Sequence, residues 1–359
     1  MENRIIGFDL ARAYAIFGMY IVNFNFCFGN TFPTEEPFGR FLNLFIGNST
    51  SIFIILAGMG ISLMTGKSEY SKVEKVKYKS IILKRSWFLF FIGLLLFNWW
   101  SGDILHFYGG YMHIASLILF IHKRYYLWIA LIVIIVYHIL LWFIPVETSW
   151  NFNTYKYADF WTPIGFLRNT LYNGWNSIFP WFAFFVTGMW LGKLDWHNKL
   201  TRKNIFISGL LLFCIIQFIR LWAKSPYVDN YLHQYILSEY FPPYLPFLLV
   251  TSGFALMVIS VCMYLGEKFK KMKIIHYLAK TGQMTLSHYI IHITIGMLIL
   301  EQLTQKTYTG FLEDEVPTQP EYILIYAISF YIASVGFSWF WSKRFKNGPL
   351  EMIMRKISG

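Results

Sequence analysis

Long apolar stretches alternate with short polar ones along the whole of this chain. A helix needs about 20 mostly apolar residues to cross the hydrocarbon core of a bilayer. On that measure the pattern predicts ten spanning helices, over 6–28, 42–65, 84–100, 103–121, 126–145, 175–193, 204–223, 245–265, 279–300 and 321–342. The third and fourth are separated by so few residues that they form a tight hairpin. The fold class predicted is all-α, a polytopic integral membrane helix bundle. No repeat, low-complexity tract or linker divides the chain, so 1–359 reads as a single transmembrane domain. A short amphipathic tail over about 345–359 follows the last span, with Glu351 and Arg355 four apart on one helical face. The opening "MENRIIGFDLARAYAIFGMYIVNF" reads as a retained first span, because Asp9 and Arg12 interrupt what a cleavable signal keeps apolar.

Composition supports this reading. The 359 residues are 56% hydrophobic and only 14% charged, where a soluble domain is about a quarter charged. The net charge of +12 is not spread evenly. About four in five of the 31 lysines and arginines fall on one side of the predicted bundle. They include Arg4 and Arg12, seven in the loop 66–85 (Lys67 to Arg85), Lys123 and Arg124, and the runs near 193–203, 268–280 and 343–356. By the positive-inside rule that side is cytoplasmic, and ten spans return both termini to it. The charge therefore serves orientation and anionic lipid, and it excludes a nucleic-acid partner. The outer segments are acidic ("FLEDEVPTQPE") or aromatic. The longest of them, 146–174, carries "SWNFNTYKYADFWTPIGF", whose rings lie at the lipid interface or stack on a sugar. Cys27, Cys214 and Cys262 stand alone in apolar runs and read as small buried hydrophobes.

Ionisable groups in hydrocarbon are costly, so the few present mark interior faces or sites. The fourth span opens "SGDILHFYGGYMHIASLILF". Asp103 and His106 are three apart and can meet, and a carboxylate beside an imidazole fixes its tautomer and suits a general base. His113 lies two turns further along the same face. In the ninth span "TLSHYIIHITIG" sets His288 and His292 four apart on one face, and His138 adds another imidazole in the fifth. Asp9 and Arg12, three apart at the cytoplasmic end of the first span, are either an ion pair satisfying itself or an anion site. The histidine pairs have no carboxylate or thiolate at ligand spacing, and no H-E-x-x-H occurs, so no metal is expected. "GMWLG" (Gly188, Gly192) and "LAGMGIS" (Gly58, Gly60) read as helix-packing surfaces, and Pro180 as the start or kink of the sixth span.

In order and spacing, "RIIGFDLARAYAIFGMYIVNF", "SIFIILAGMGISLM", "GDILHFYG", "FPWFAFFVTGMWLGKLD", "TGQMTLSHYIIH" and "NGPLEMIMR" resemble the YeiB-like family of bacterial membrane proteins, a domain of unknown function. That family is similar to the catalytic domain of heparan-alpha-glucosaminide N-acetyltransferase and, more distantly, to membrane acyltransferases that O-acetylate cell-surface sugars. The resemblance implies an acyl-CoA donor, such as acetyl-CoA, entering from the cytoplasm. It also implies a small-molecule or glycan acceptor at the other face and a histidine base. The D-x-x-R pattern falls on Asp9 and Arg12, D-I-L-H on Asp103 to His106, and Y-x-x-H on Tyr289 and His292. Sugar O-acyltransferases often place a histidine at the outer part of the first helix, where this chain has Asn23. The following stretch, 29–50, has no histidine. The base role then passes to His106 or to a histidine of the ninth span.

The resulting expectation is a multi-pass plasma-membrane acyltransferase. His106, poised by Asp103, deprotonates the acceptor, and Arg12 with Asp9 serves the phosphates of acyl-CoA. His113 and His292 make a polar midplane, and His288 and Tyr289 face substrate. A transporter or exporter of a small polar solute would use the same histidines as a proton relay. A third reading gives the buried polar groups only the task of holding helices together. Self-association is left open.

Overall fold

In a computed structural model the residues described are 5–29, 36–66, 69–152, 154–306 and 316–359. Arg4, Lys67, part of the histidine-free stretch after the first span, and 311–315 of the acidic outer segment lie outside them. Among the described residues the protein is all-α apart from two antiparallel two-residue strands, β1 (Trp150–Asn151) and β2 (Lys156–Tyr157). In chain order the helices are α1 (Ile6–Phe28), α2 (Pro37–Asn43), α3 (Asn48–Met64), α4 (Lys72–Phe97), α5 (Leu105–Ile118), α6 (Arg124–Phe143), α7 (Pro163–Arg168) and α8 (Ile178–Leu191). There follow α9 (Lys199–Ala223), α10 (Asn230–Leu237), α11 (Leu245–Lys268), α12 (Lys273–Gly282), α13 (Thr285–Ile291), α14 (Met297–Thr304), α15 (Pro320–Trp341) and α16 (Pro349–Ser358). π-Helical turns over Asn169–Asn173 and His292–Gly296 join α7 to its loop and α13 to α14.

Helices occupy all ten predicted places, but among the described residues seven are long and apolar enough to cross a membrane. These are Pro37–Met64, Lys72–Phe97, Arg124–Phe143, Lys199–Ala223, Leu245–Lys268, Thr285–Thr304 and Pro320–Trp341. The remaining three differ for visible reasons. Helix α1 has the length but carries Asp9, Arg12, Asn23 and Asn25, and α5 and α8 have 14 residues each. At 1.5 Å per residue such a helix is about 21 Å long, short of a core of about 30 Å. Most of the lysine-rich loop 66–85 is helix instead. From Lys72 onward it is nearly the first four turns of α4, started by a capping box in which Ser71 and Glu74 satisfy each other's backbone N–H.

The chain packs as two compact units, 1–53 with 256–353, and 54–255 with 354–359. In the first, α1 packs on α12 and α15, and α15 also packs on α12 and α2. Tyr20, Phe24, Phe28, Ile293, Met297 and Ile323 form its buried core. The backbones of α1 and α12 meet so closely that a Cβ at Gly282 would collide with the carbonyl of Asp9. In the second, α4 and α5 form the predicted hairpin, while α8 packs on α6 and α5. The small-residue surfaces foreseen at Gly58, Gly188 and Gly192 are close helix approaches here: added Cβ atoms would strike the carbonyls of Phe185, Ile55 and Met59.

Candidate active site

The α4–α5 hairpin places Asp103 at the start of α5, in a turn closed by the Asp103 N–H on the Trp100 carbonyl. Its Oδ2 accepts from the backbone N–H groups of Leu105 (2.9 Å) and His106 (3.2 Å), so the carboxylate caps the helix. The same oxygen lies 3.3 Å from His106 Nδ1. Because a carboxylate accepts, Nδ1 carries the proton and the Nε2 lone pair is left for other use. Both side chains are fully buried, and Nε2 meets no hydrogen-bond partner among the described residues. Only glycine fits opposite: a Cβ at Gly93 of α4 would lie 2.6 Å from Asp103 Oδ2. Aromatic rings enclose the imidazole, with Phe107 at 3.9 Å, Phe97 at 5.6 Å and Phe160 at 5.9 Å between centroids.

Phe160 comes from the long segment between α6 and α8. Trp150, Tyr157, Phe160 and Trp175 are buried, while Phe152 and Trp161 stay exposed. Arg168 ties the segment together by donating to both carboxylate oxygens of Asp159 at 2.7 Å, to Tyr157 Oη at 2.7 Å and to the Ser149 hydroxyl. The hydrogen bonds from Arg168 hold the Asp159 carboxyl below its usual range, ahead of an opposing burial effect. Phe160 stacks on Phe97 at 3.7 Å, which seats the segment over the dyad.

The other expected residues sit in the following surroundings, and His113 Nε2, like that of His106, is buried and has no hydrogen-bond partner among the described residues. His113 Nδ1 meets the Gly109 carbonyl at 2.9 Å and the Ser86 hydroxyl, and its ring stands edge-on to Trp87, so it ties α5 to α4. His138 Nδ1 donates to the Ile134 carbonyl, and its Nε2 takes the Tyr235 hydroxyl at 3.2 Å.

In the first unit Arg12 Nη1 sits 2.8 Å from Asp9 Oδ1, and Gln283 donates to the other oxygen of Asp9 at 3.0 Å. Asp9 is buried, and the Arg12 side chain keeps 23% exposure. His292 is fully buried. Its Nδ1 donates to the His288 carbonyl, and its Nε2 accepts from Asn23 at 2.9 Å. His288 Nε2 donates to Ser338 Oγ at 2.7 Å, since that hydroxyl already donates to the Ser334 carbonyl. The Tyr289 ring lies edge-on to His292 at 5.2 Å.

The structure thus joins Asp103 to His106, Asp9 to Arg12, and His292 to Asn23. Sequence reasoning missed Phe160 and Gln283, and it read Glu351 only as a tail residue four from Arg355. Nothing in the local pattern marks Phe160 or Gln283, whereas the "NGPLE" segment did single out the region of Glu351. That carboxylate accepts from the N–H of Leu286 (2.8 Å) and Ser287 (3.2 Å) and from the Ser287 hydroxyl. Among the described residues no group of three or more His, Cys, Asp or Glu could hold a metal ion.

Residues 4–220 match the family model for heparan-alpha-glucosaminide N-acetyltransferase, catalytic. The chain belongs to that catalytic-domain family. Residues 185–359 match a second model, described as a protein of unknown function (DUF418), which agrees with the YeiB-like resemblance. No curated protein matches the chain individually. This N-acetyltransferase-family member is a multi-pass membrane protein. Its catalytic-family match contains Asp9, Arg12, Asn23, Asp103, His106 and His113, and excludes His288, Tyr289 and His292.

Proposed function

We propose that the protein is a membrane acyltransferase that moves an acetyl or related acyl group from acyl-CoA to a hydroxyl or amine acceptor, a glycan among the candidates. One observation carries the choice of base: within the catalytic-family match, His106 has Nδ1 committed to Asp103 and a buried Nε2 with no partner among the described residues. The Nε2 lone pair takes the proton of the acceptor O–H or N–H as that atom attacks the thioester carbonyl. Collapse of the tetrahedral adduct breaks the C–S bond, and the histidine returns its proton to the CoA thiolate. Asp103 holds the ring in its tautomer and steadies the transient imidazolium. Arg12, charged and partly exposed, serves the CoA phosphates. Ten spans, cytoplasmic termini, a plasma-membrane location, donor entry from the cytoplasm and an acceptor at the outer face belong to the same proposal, supported by the uneven lysine and arginine distribution.

The test is acyl transfer by the purified chain in bilayers, with labelled acetyl-CoA and a panel of amino sugars and sugar alcohols. His106→Ala is expected to lose about 10²–10⁴-fold, the usual worth of general-base catalysis. Asp103→Asn keeps an acceptor for the two capping N–H groups while removing the charge, so it should fold normally and retain partial activity. Full activity in His106→Ala would refute the assignment. Solute movement without acyl transfer by the wild type would favour the transporter.

A further inference from the structure

A second feature stands apart from the transfer chemistry. A groove of about 490 Å³ lies at the α5–α6 turn, lined by His122, Lys123, Arg124, Leu127, Trp128, Leu131 and Trp190. Its two ends are chemically opposite. At one end three consecutive residues present donors. His122 Nδ1 accepts from the Arg124 N–H, which leaves the proton on Nε2. Lys123 and Arg124 have no carboxylate partner among the described residues, and Arg124 rests on the Tyr125 ring and hydroxyl. At the other end Leu127, Trp128 and Leu131 continue one face of α6, at steps of three and four from Arg124, and Trp190 of α8 closes the side. Helix α6 is apolar enough to cross a membrane, and little of it is covered by protein. The apolar end of the groove therefore faces acyl chains rather than water.

We propose that this groove binds one anionic phospholipid, its phosphate held by Lys123 and Arg124 and an acyl chain laid along Leu127, Trp128, Leu131 and Trp190. A soluble anion would satisfy the basic turn and leave the apolar wall unfilled. A neutral lipid would fill the wall and leave the two cations without a counter-charge. Only an amphiphile with a negative head matches both.

The experiment measures thermal stability and lipid retention, by native mass spectrometry, for the full chain in neutral detergent. The probes are phosphatidylglycerol, phosphatidylcholine, glycerol phosphate and inorganic phosphate. Phosphatidylglycerol should raise Tm and remain bound, and phosphatidylcholine should act more weakly. The Lys123→Gln/Arg124→Gln variant should need roughly tenfold more phosphatidylglycerol for the same effect, since each basic residue near the surface adds substantially to anionic-lipid attraction. If the double variant does not fold, Lys123→Gln alone carries the same comparison. Equal responses to the two lipids would overturn the proposal, because the head charge would not be read. Glycerol phosphate or inorganic phosphate matching phosphatidylglycerol would make this a soluble-anion site. An unchanged response in a folded variant would place the lipid elsewhere.

Discussion

Asn23 donates its amide to Nε2 of His292 at 2.9 Å, across 269 positions of sequence. With Nδ1 already given to the His288 carbonyl, both ring nitrogens of His292 are engaged. The residue standing where related sugar acyltransferases often carry histidine therefore satisfies an imidazole instead of supplying one. His292→Ala is expected to keep at least a tenth of wild-type transfer and to lower Tm, because it strands the Asn23 amide. A fully buried unsatisfied group costs about 1–3 kcal/mol, and the part-buried Asn23 should fall toward the lower end. If His292→Ala proved inactive while His106→Ala still turned over, the base would lie in the first unit.

Glu351 and Ser287 offer a stability test separate from catalysis. Glu351→Ala removes the acceptor for two N–H groups and a hydroxyl at the first turn of α13, a loss on the order of 2 kcal/mol. Glu351→Gln keeps one oxygen for the N–H pair and should fall between alanine and wild type. Burial raises the Glu351 carboxyl above its ordinary value of 4.5, outweighing the hydrogen bonds it accepts. A carboxyl raised by folding binds its proton more tightly in the folded state. Its contribution is fully present below 4.5 and is lost as pH rises through the raised value. Melting curves at a series of pH values should show that decline in the wild type and not in Glu351→Gln. A decline of equal size in both would assign it to another group.

Arg12 is tied to Asp9 yet partly exposed. If it also serves the CoA phosphates, CoA should stabilise the purified chain by about 2.7 kcal/mol at a hundredfold excess over Kd. Arg12→Ala should lose most of that gain, each variant being compared with its own ligand-free Tm. No shift at millimolar CoA would remove the donor assignment. A shift preserved in Arg12→Ala would move the phosphate site away from α1.

Lys156 sits exposed on β2 in the segment assigned to the outer face. Cysteine placed there, in a chain lacking Cys27, Cys214 and Cys262, should react with a membrane-impermeant maleimide in intact cells. Reaction only after lysis would invert the orientation.

The spans were legible because hydrocarbon imposes one rule on every helix that crosses it, and Leu-, Ile- and Phe-rich stretches such as α6 and α11 obey it plainly. The Asp103–His106 contact was equally legible, since a separation of three on a helix start nearly dictates it. The short α5 and α8 were overestimated because the apolar run extends beyond each helix into buried connections, such as Ile104 before α5 and Trp175 before α8. The enclosure of His106 could not be read. It depends on Phe160 arriving from a segment whose course is set by Arg168 and Asp159, and no periodicity records such a pairing. The lysines of 66–85 looked like a loop because charge masked the Ser71–Glu74 capping signal.

The capping of α13 by Glu351 reverses the order of manufacture. The Ser287 N–H waits for a carboxylate 64 residues further along the chain. At roughly 5–20 residues per second of synthesis, that wait is about 3–13 s. Throughout it the segment carrying His288 and His292 exists without the carboxylate that completes its first turn. Its final seat is therefore taken after translation has moved on, and a ribosome paused between these two points would hold that segment unfinished.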